Sequence, residues 1–196
     1  MHTDAIEVLD FWFGPPGDPG HARPRAQWFV KDPSFDAEIA RRFGPLVERA
    51  LAGGIDDWLA RPLQPLPALA YVVVLDQFTR NAWRDSARAF AGDVQALQAA
   101  RALVASGADR ALNGVQRQFV YLPFEHDEDR SHQRTSVQLF RQLERDEPAL
   151  TGLVDWAQRH HDIIERFGRF PHRNAVLGRV STAEEAAFLL TPGSGF

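Results

Sequence analysis

Apolar residues recur at three- and four-residue intervals along almost the whole chain, the rhythm of helices that each bury one face. Ile6, Leu9 and Phe13 make the first such face, with Thr3 or Asp4 as its cap. The stretch Gly14-Pro15-Pro16-Gly17-Asp18-Pro19-Gly20 stops that helix and opens a loop, from which Trp28 and Phe29 must pack back onto the body. Ser34 is the expected cap of a second helix with Phe35, Ile39, Phe43, Leu46 and Val47 on one face. Gly44-Pro45 predicts a kink or split within it, Gly53-Gly54 its end, and residues 55–59 a short helical turn.

Residues 66–81 are ambiguous by period alone. Tyr71-Val72-Val73-Val74-Leu75 has the β-branched content of a buried strand. Pro65 and Pro67 suit a first helical turn, however, and Asp76 stands four residues before Arg80, so the stretch reads as a buried helix. Further on, Val94, Leu97, Ala100, Leu103 and Val104 form a stripe, and residues 107–109 a turn. Residues 116–122 read as a short helix stopped by Pro123, and residues 127–145 as an amphipathic one. Pro148 opens a helix through Phe167, ended by Gly168 and Pro171. Ser181-Thr182-Ala183-Glu184-Glu185 spells a capping box for a last helix. The sum is an all-α chain of about eight or nine stacked antiparallel helices. No linker or internal repeat divides it, so residues 1–196 form one expected domain.

Composition narrows the function classes. A 44% hydrophobic content supplies a packed core. With no cysteine there is no disulfide, thiolate metal site, iron–sulfur cluster or cysteine nucleophile. A net charge of −4 gives no basic field for nucleic acid or an anionic membrane, so neither is an expected partner. The longest apolar run, residues 68–75, falls well short of the ~20 residues that span a bilayer. The acidic start of the chain lacks a secretory signal, and a cytoplasmic location is expected. No Gly-x-Ser-x-Gly, phosphate loop or dinucleotide fingerprint occurs.

Three stretches carry unusual polar density: residues 75–81 (LDQFTRN), 122–129 (LPFEHDED) and 161–174 (HDIIERFGRFPHRN). Together with Leu177-Gly178-Arg179 and the capping box they resemble the bacterial domain-of-unknown-function family numbered 924, over essentially the whole chain. Thr79 stands where that family usually has Pro, and Asp127 where it usually has Ser. The resemblance implies a tetratricopeptide-like α-α superhelix and no particular activity.

Each stretch sets ionisable groups beside large apolar neighbours. Stranding a polar group in a core costs ~1–3 kcal/mol, so these groups are expected to meet one another. Asp76, Arg80 and Asn81, then Glu125 and His126, then His161, Asp162, Glu165, Arg166, Arg169, His172 and Arg173 are the candidate ligand-binding residues. His126 and Glu125 are also the candidate acid–base pair. His161 and Glu165, four apart on one helix, would with His126 give a mixed nitrogen and oxygen set for a divalent metal. His132 and His160 read as solvated, and Asn174 as the cap of a following turn. The plain alternative is ion pairs that hold helices in register without further function. Three readings stay open: a module binding a small molecule or peptide end, a metal-dependent or acid–base hydrolase using the same pocket, and a structural polar core with an interaction surface elsewhere.

Overall fold

The computed structural model describes residues 2–195 and is built of helices, with no strand among them. The helices are α1 (Thr3–Phe13), α2 (Pro33–Leu51), α3 (Pro65–Val72), α4 (Thr79–Ala82), α5 (Asp93–Ser106), α6 (Gly114–His126), α7 (Arg130–Asp146), α8 (Leu153–Phe167) and α9 (Ala183–Leu189). Short turns join α6 to α7 and α7 to α8, whereas α1 and α2 are each followed by a longer connection. α6, α7 and α8 stack in sequence, α5 bridges α3 to α6, and α1 and α2 pack against the α3–α4 rod.

Sequence punctuation was a good guide at some ends and a poor one at others. His2 rather than Thr3 or Asp4 precedes α1, and no side chain caps it. Asp32, not Ser34, caps α2 by accepting from the Ser34 and Phe35 amides, with Pro33 in the first turn. Pro45 lies inside an unbroken α2. Gly44 explains this: the residue before a proline is pushed out of helical geometry by its own Cβ, and glycine has none. Pro123 likewise lies inside α6, which runs on to His126. Trp28 is buried as expected, whereas Phe29 and Val94 are exposed. The capping box forms, with Thr182 and Glu185 exchanging bonds.

The core is aromatic. Trp12, Phe13, Trp28, Phe78 and Phe119 meet edge-on at centroid distances from 4.8 to 5.9 Å, and Trp12 stacks on Trp28 at 5.8 Å. A second small cluster, Ile163, Ile164 and Phe170, packs with Phe167 and Phe188 and seats the C-terminal helix.

Between α3 and α4 the rod winds through a π-helical turn, Val73–Phe78, every residue of which is buried. A π turn admits one extra residue per turn and commonly marks a functional site. α2 is tied to its far end: Asp36 accepts from Asn81 at 2.7 Å and from Arg84 at 2.7 and 2.8 Å. On the other side Gly92 rests against it, and a Cβ there would stand 2.3 Å from the Leu75 carbonyl oxygen. Gly92→Ala must therefore part α5 from the π turn. The expected cost is about 1–3 kcal/mol in urea denaturation. An unchanged stability would show that this contact does not hold α5 in place.

Candidate functional site

The π turn buries a carboxylate, and the site is built around it. Asp76 is wholly enclosed. Its Oδ1 is 2.8 Å from His126 Nδ1, at the end of α6, and 3.2 Å from Arg80 Nη1, one helical turn on. Its Oδ2 accepts from Gln77 Nε2 at 2.6 Å. Arg80 also donates to the Asp76 carbonyl at 2.7 Å, and bidentately to Asp93 at 2.8 and 3.1 Å. Asp93 is the first residue of α5, so the Gly92 contact is what brings it to Arg80.

Charge follows from this geometry. Burial alone would raise the Asp76 pKa, but the Arg80 charge, then His126 and the bond from Gln77, hold it well below the usual carboxylate range. Burial and the Arg80 charge push His126 below its ordinary value against the pull of Asp76. Arg80 already supplies the cation that the carboxylate needs, so the pair rests as carboxylate and neutral imidazole. Asp76 can only accept, which assigns the imidazole proton to Nδ1 and leaves Nε2 as an acceptor.

A second pair lies alongside. Glu125 Oε1 is 3.3 Å from His160 Nδ1, which also lies 2.9 Å from the Trp156 carbonyl. The His126 and His160 rings are 6.4 Å apart. Burial, with the Asp76 charge adding to it, pushes Glu125 from 4.5 up to about 8. Burial drives His160 down to about 3; the Trp156 carbonyl opposes the drop, and the Arg173 charge deepens it. Near neutral pH the carboxyl keeps its proton and the imidazole has none to spare.

The third wall is the turn Pro171–Arg173 after α8. Glu128 fixes it, accepting from the Phe170 amide at 2.8 Å and from Arg179 at 2.7 and 3.0 Å. Buried Gln133 on α7 sets the preceding chain direction by donating to the carbonyls of Glu125 and Asp127, each at 2.6 Å. His172, part-exposed here, falls to about 4 through burial first and the Arg173 charge second. Arg173 is buried against the Phe90 and Phe170 rings, 4.7 and 4.4 Å from their centroids. Burial and the Arg80 charge lower it to about 10, still a cation at neutral pH.

Six of the sequence candidates thus converge: Asp76, Arg80, Glu125, His126, His172 and Arg173. The other six do not. Asn81 turns to Asp36 on α2. His161 and Asp162 share Gln158 on the outer face of α8. Exposed Glu165 pairs with Arg130 and Arg134. Arg166 pairs with Glu184 on the surface, and Arg169 holds Glu185 at 2.6 and 2.8 Å. Asn174 caps no turn; its amide reaches Ser181 and Glu185. The expected metal set of His126, His161 and Glu165 is corrected accordingly, since the last two face outward from α8. Among the described residues no three His, Asp or Glu side chains stand close enough to hold one metal ion. His160, read as solvated, is the inward histidine, and Asp93 was not anticipated. The signal for His160 was available: it lies three residues after Ala157 and four before Ile164, on the buried stripe of α8.

Residues 8–193 match the family model described as bacterial protein of unknown function (DUF924). The chain belongs to this family. It is 35% identical to a protein of unknown function from Agrobacterium tumefaciens whose structure is solved, with a TM-score of 0.79, and the match covers 95% of this chain and 96% of that one. No curated protein matches it. The DUF924 fold therefore accounts for nearly all of the chain, and the cluster around Asp76 lies within the matched residues. Among the described residues no helix is long and apolar enough to cross a membrane.

The buried groups make stability pH-dependent in a definite direction. As pH rises to about 6.5, unfolded His160 and His172 lose the protons that the folded ones refuse, and stability climbs. Unfolded Glu125 ionises above about 4.5 while the folded carboxyl holds its proton to about 8, an opposing loss that dominates once the histidines are spent. Urea denaturation should therefore show a maximum near pH 6.5–7 and a fall of roughly 1 kcal/mol by pH 8. Glu125→Gln should flatten that alkaline limb. A limb of the same steepness in the variant would place its cause elsewhere.

Proposed function

We propose that the cluster around Asp76 is the binding site for a small molecule or a peptide end. The observation that supports this is the convergence of ionisable groups from the π turn, α5, α6, α8 and the turn after α8 on one place. Groups with strongly displaced charge states, here a protonated carboxyl and neutral imidazoles beside ion pairs, gather at functional sites. Glu125 offers an O–H and His126 Nε2 an acceptor, while the Asp76–Arg80–Asp93 chain holds them in position. Arg80, Asp93, His126 and His172 keep part of their surface outside the core, which gives a ligand a way in.

A second reading, acid–base catalysis, draws on the 2.8 Å contact between Asp76 and His126. An imidazole oriented through Nδ1 by a carboxylate has Nε2 ready to take a proton, and Glu125 next to it in sequence has one to give. Binding and turnover share the site and differ only in what becomes of the ligand.

A thermal-shift screen against metabolites and short peptides tests the binding. A ligand at ~100 times its Kd raises stability by about 2.7 kcal/mol. His126→Asn, which keeps a donor toward Asp76 but removes the acceptor at Nε2, is expected to fold and to lose the shift. A screen without stabilising compounds, or hits that act equally on the variant, would contradict the assignment. Following a hit by NMR separates the two readings, since catalysis requires a product that appears with the wild type and not with His126→Asn.

A further inference from the structure

The Arg173 guanidinium stands out in the cluster. It is only 7% exposed, and its Nε is buried with no hydrogen-bond partner among the described residues. Among the described residues the anion paired with it, Asp93 Oδ2, is 3.8 Å from Nη1, beyond hydrogen-bond reach, and that carboxylate is already bonded bidentately to Arg80. Phe90 and Phe170 partly compensate the charge through their ring electrons, but a ring offers none of the oxygen acceptors that a planar fork of donors is built for. The other charged arginines of this region differ in kind. Arg80 has both Asp76 and Asp93, and Arg179 has Glu128. A buried cation left this way costs folding energy, and an anionic ligand would recover it.

We infer that Arg173 is the anchor for the carboxylate of the ligand, received bidentately on its N–H edge between Phe90 and Phe170. This rests on the binding reading above and names the chemistry of its ligand. Charge decides between anions. Arg80 and Arg173 face Asp76 and Asp93 at formal parity, and Glu128 is matched by Arg179. At that parity every added negative charge is a surplus beside two carboxylates; a carboxylate brings one and a phosphate dianion two. A monoanionic carboxylate therefore fits better than a phosphate dianion. The neutral imidazoles of His126 and His172 complete a wall that does not repel it. The part-exposed Phe90 ring favours an apolar body behind the carboxylate.

The arginine Nε–Hε NMR spectrum of the full chain reads this site directly, with benzoate, inorganic phosphate and a short peptide bearing a free or an amidated C-terminus as probes. The Arg173 resonance is expected to move saturably with benzoate, with the free-terminus peptide, or with both, and to stay in place with benzamide and the amidated peptide. Arg173→Met is expected to weaken carboxylate binding roughly tenfold or more and, with no ligand present, to raise the melting temperature, because it removes an uncompensated charge. Arg173→Lys keeps the cation if the neutral variant does not fold, and is expected to lose the bidentate contact by a similar factor. Which of the two carboxylate probes binds more tightly separates a small acid from a peptide end, and either supports the assignment. No saturable shift, equal response to benzamide, a response to phosphate alone, or undiminished binding in both variants would overturn it. A screening hit that is uncharged and indifferent to Arg173 would overturn this inference and leave the binding reading standing.

Discussion

A carboxylate with no exposure to water needs its counter-charge within the fold, and Asp76 finds it one turn further along the same rod. The desolvation of a single buried ion costs several kcal/mol, so Asp76 without Arg80 could not remain charged there. Arg80 in turn is held by Asp93, and Asp93 by the approach of α5 at Gly92. The chain of dependence thus runs from a missing Cβ to a buried charge. His126 is its beneficiary: with the carboxylate already neutralised, the imidazole stays uncharged and oriented.

This arrangement separates two kinds of group. The ion pairs among Asp76, Arg80 and Asp93 fix positions, and the groups beside them, Glu125, His126 and His172, rest uncharged. Their protonation states come from burial more than from neighbours, so the helical packing that excludes water also sets the chemistry. The relative from Agrobacterium tumefaciens shares the fold over nearly its full length, so the helical scaffold is not peculiar to this chain. Arg173 is the exception to the ordering, a buried cation whose Nε finds no acceptor among the described residues.

Much of the scaffold was legible in the sequence. The α3–α4 rod was placed by Pro65 and Pro67 in spite of its strand-like valines, and the Asp76–Arg80 spacing pointed to an ion pair that exists. The π turn was not legible, because residues 68–79 are buried on every side and leave no polar face whose phase could reveal an extra residue. Prolines misled where context neutralised them: Gly44 removes the clash before Pro45, and Pro123 comes in the last turn of α6, where it forfeits only the bond to the Phe119 carbonyl. The third stretch was misread by one position. His160 and His161 both fall within reach of the α8 stripe, and the rotation of α8 against α7 decides which turns inward. Asp93 opens an alanine-rich helix, and no local pattern announces that a residue 13 positions after Arg80 returns to it. Local spacing reports pairs on one element; convergence between elements is decided by packing.

The tautomer and titration of His126 test the account most directly. Two-dimensional spectra of the imidazole nitrogens in the wild-type protein are predicted to show the proton on Nδ1 and a bare Nε2 at neutral pH, with protonation only below the ordinary histidine range. A proton on Nε2, or a ring that titrates as an exposed histidine does, would mean that the Asp76 carboxylate does not govern it, and the site as described would not exist.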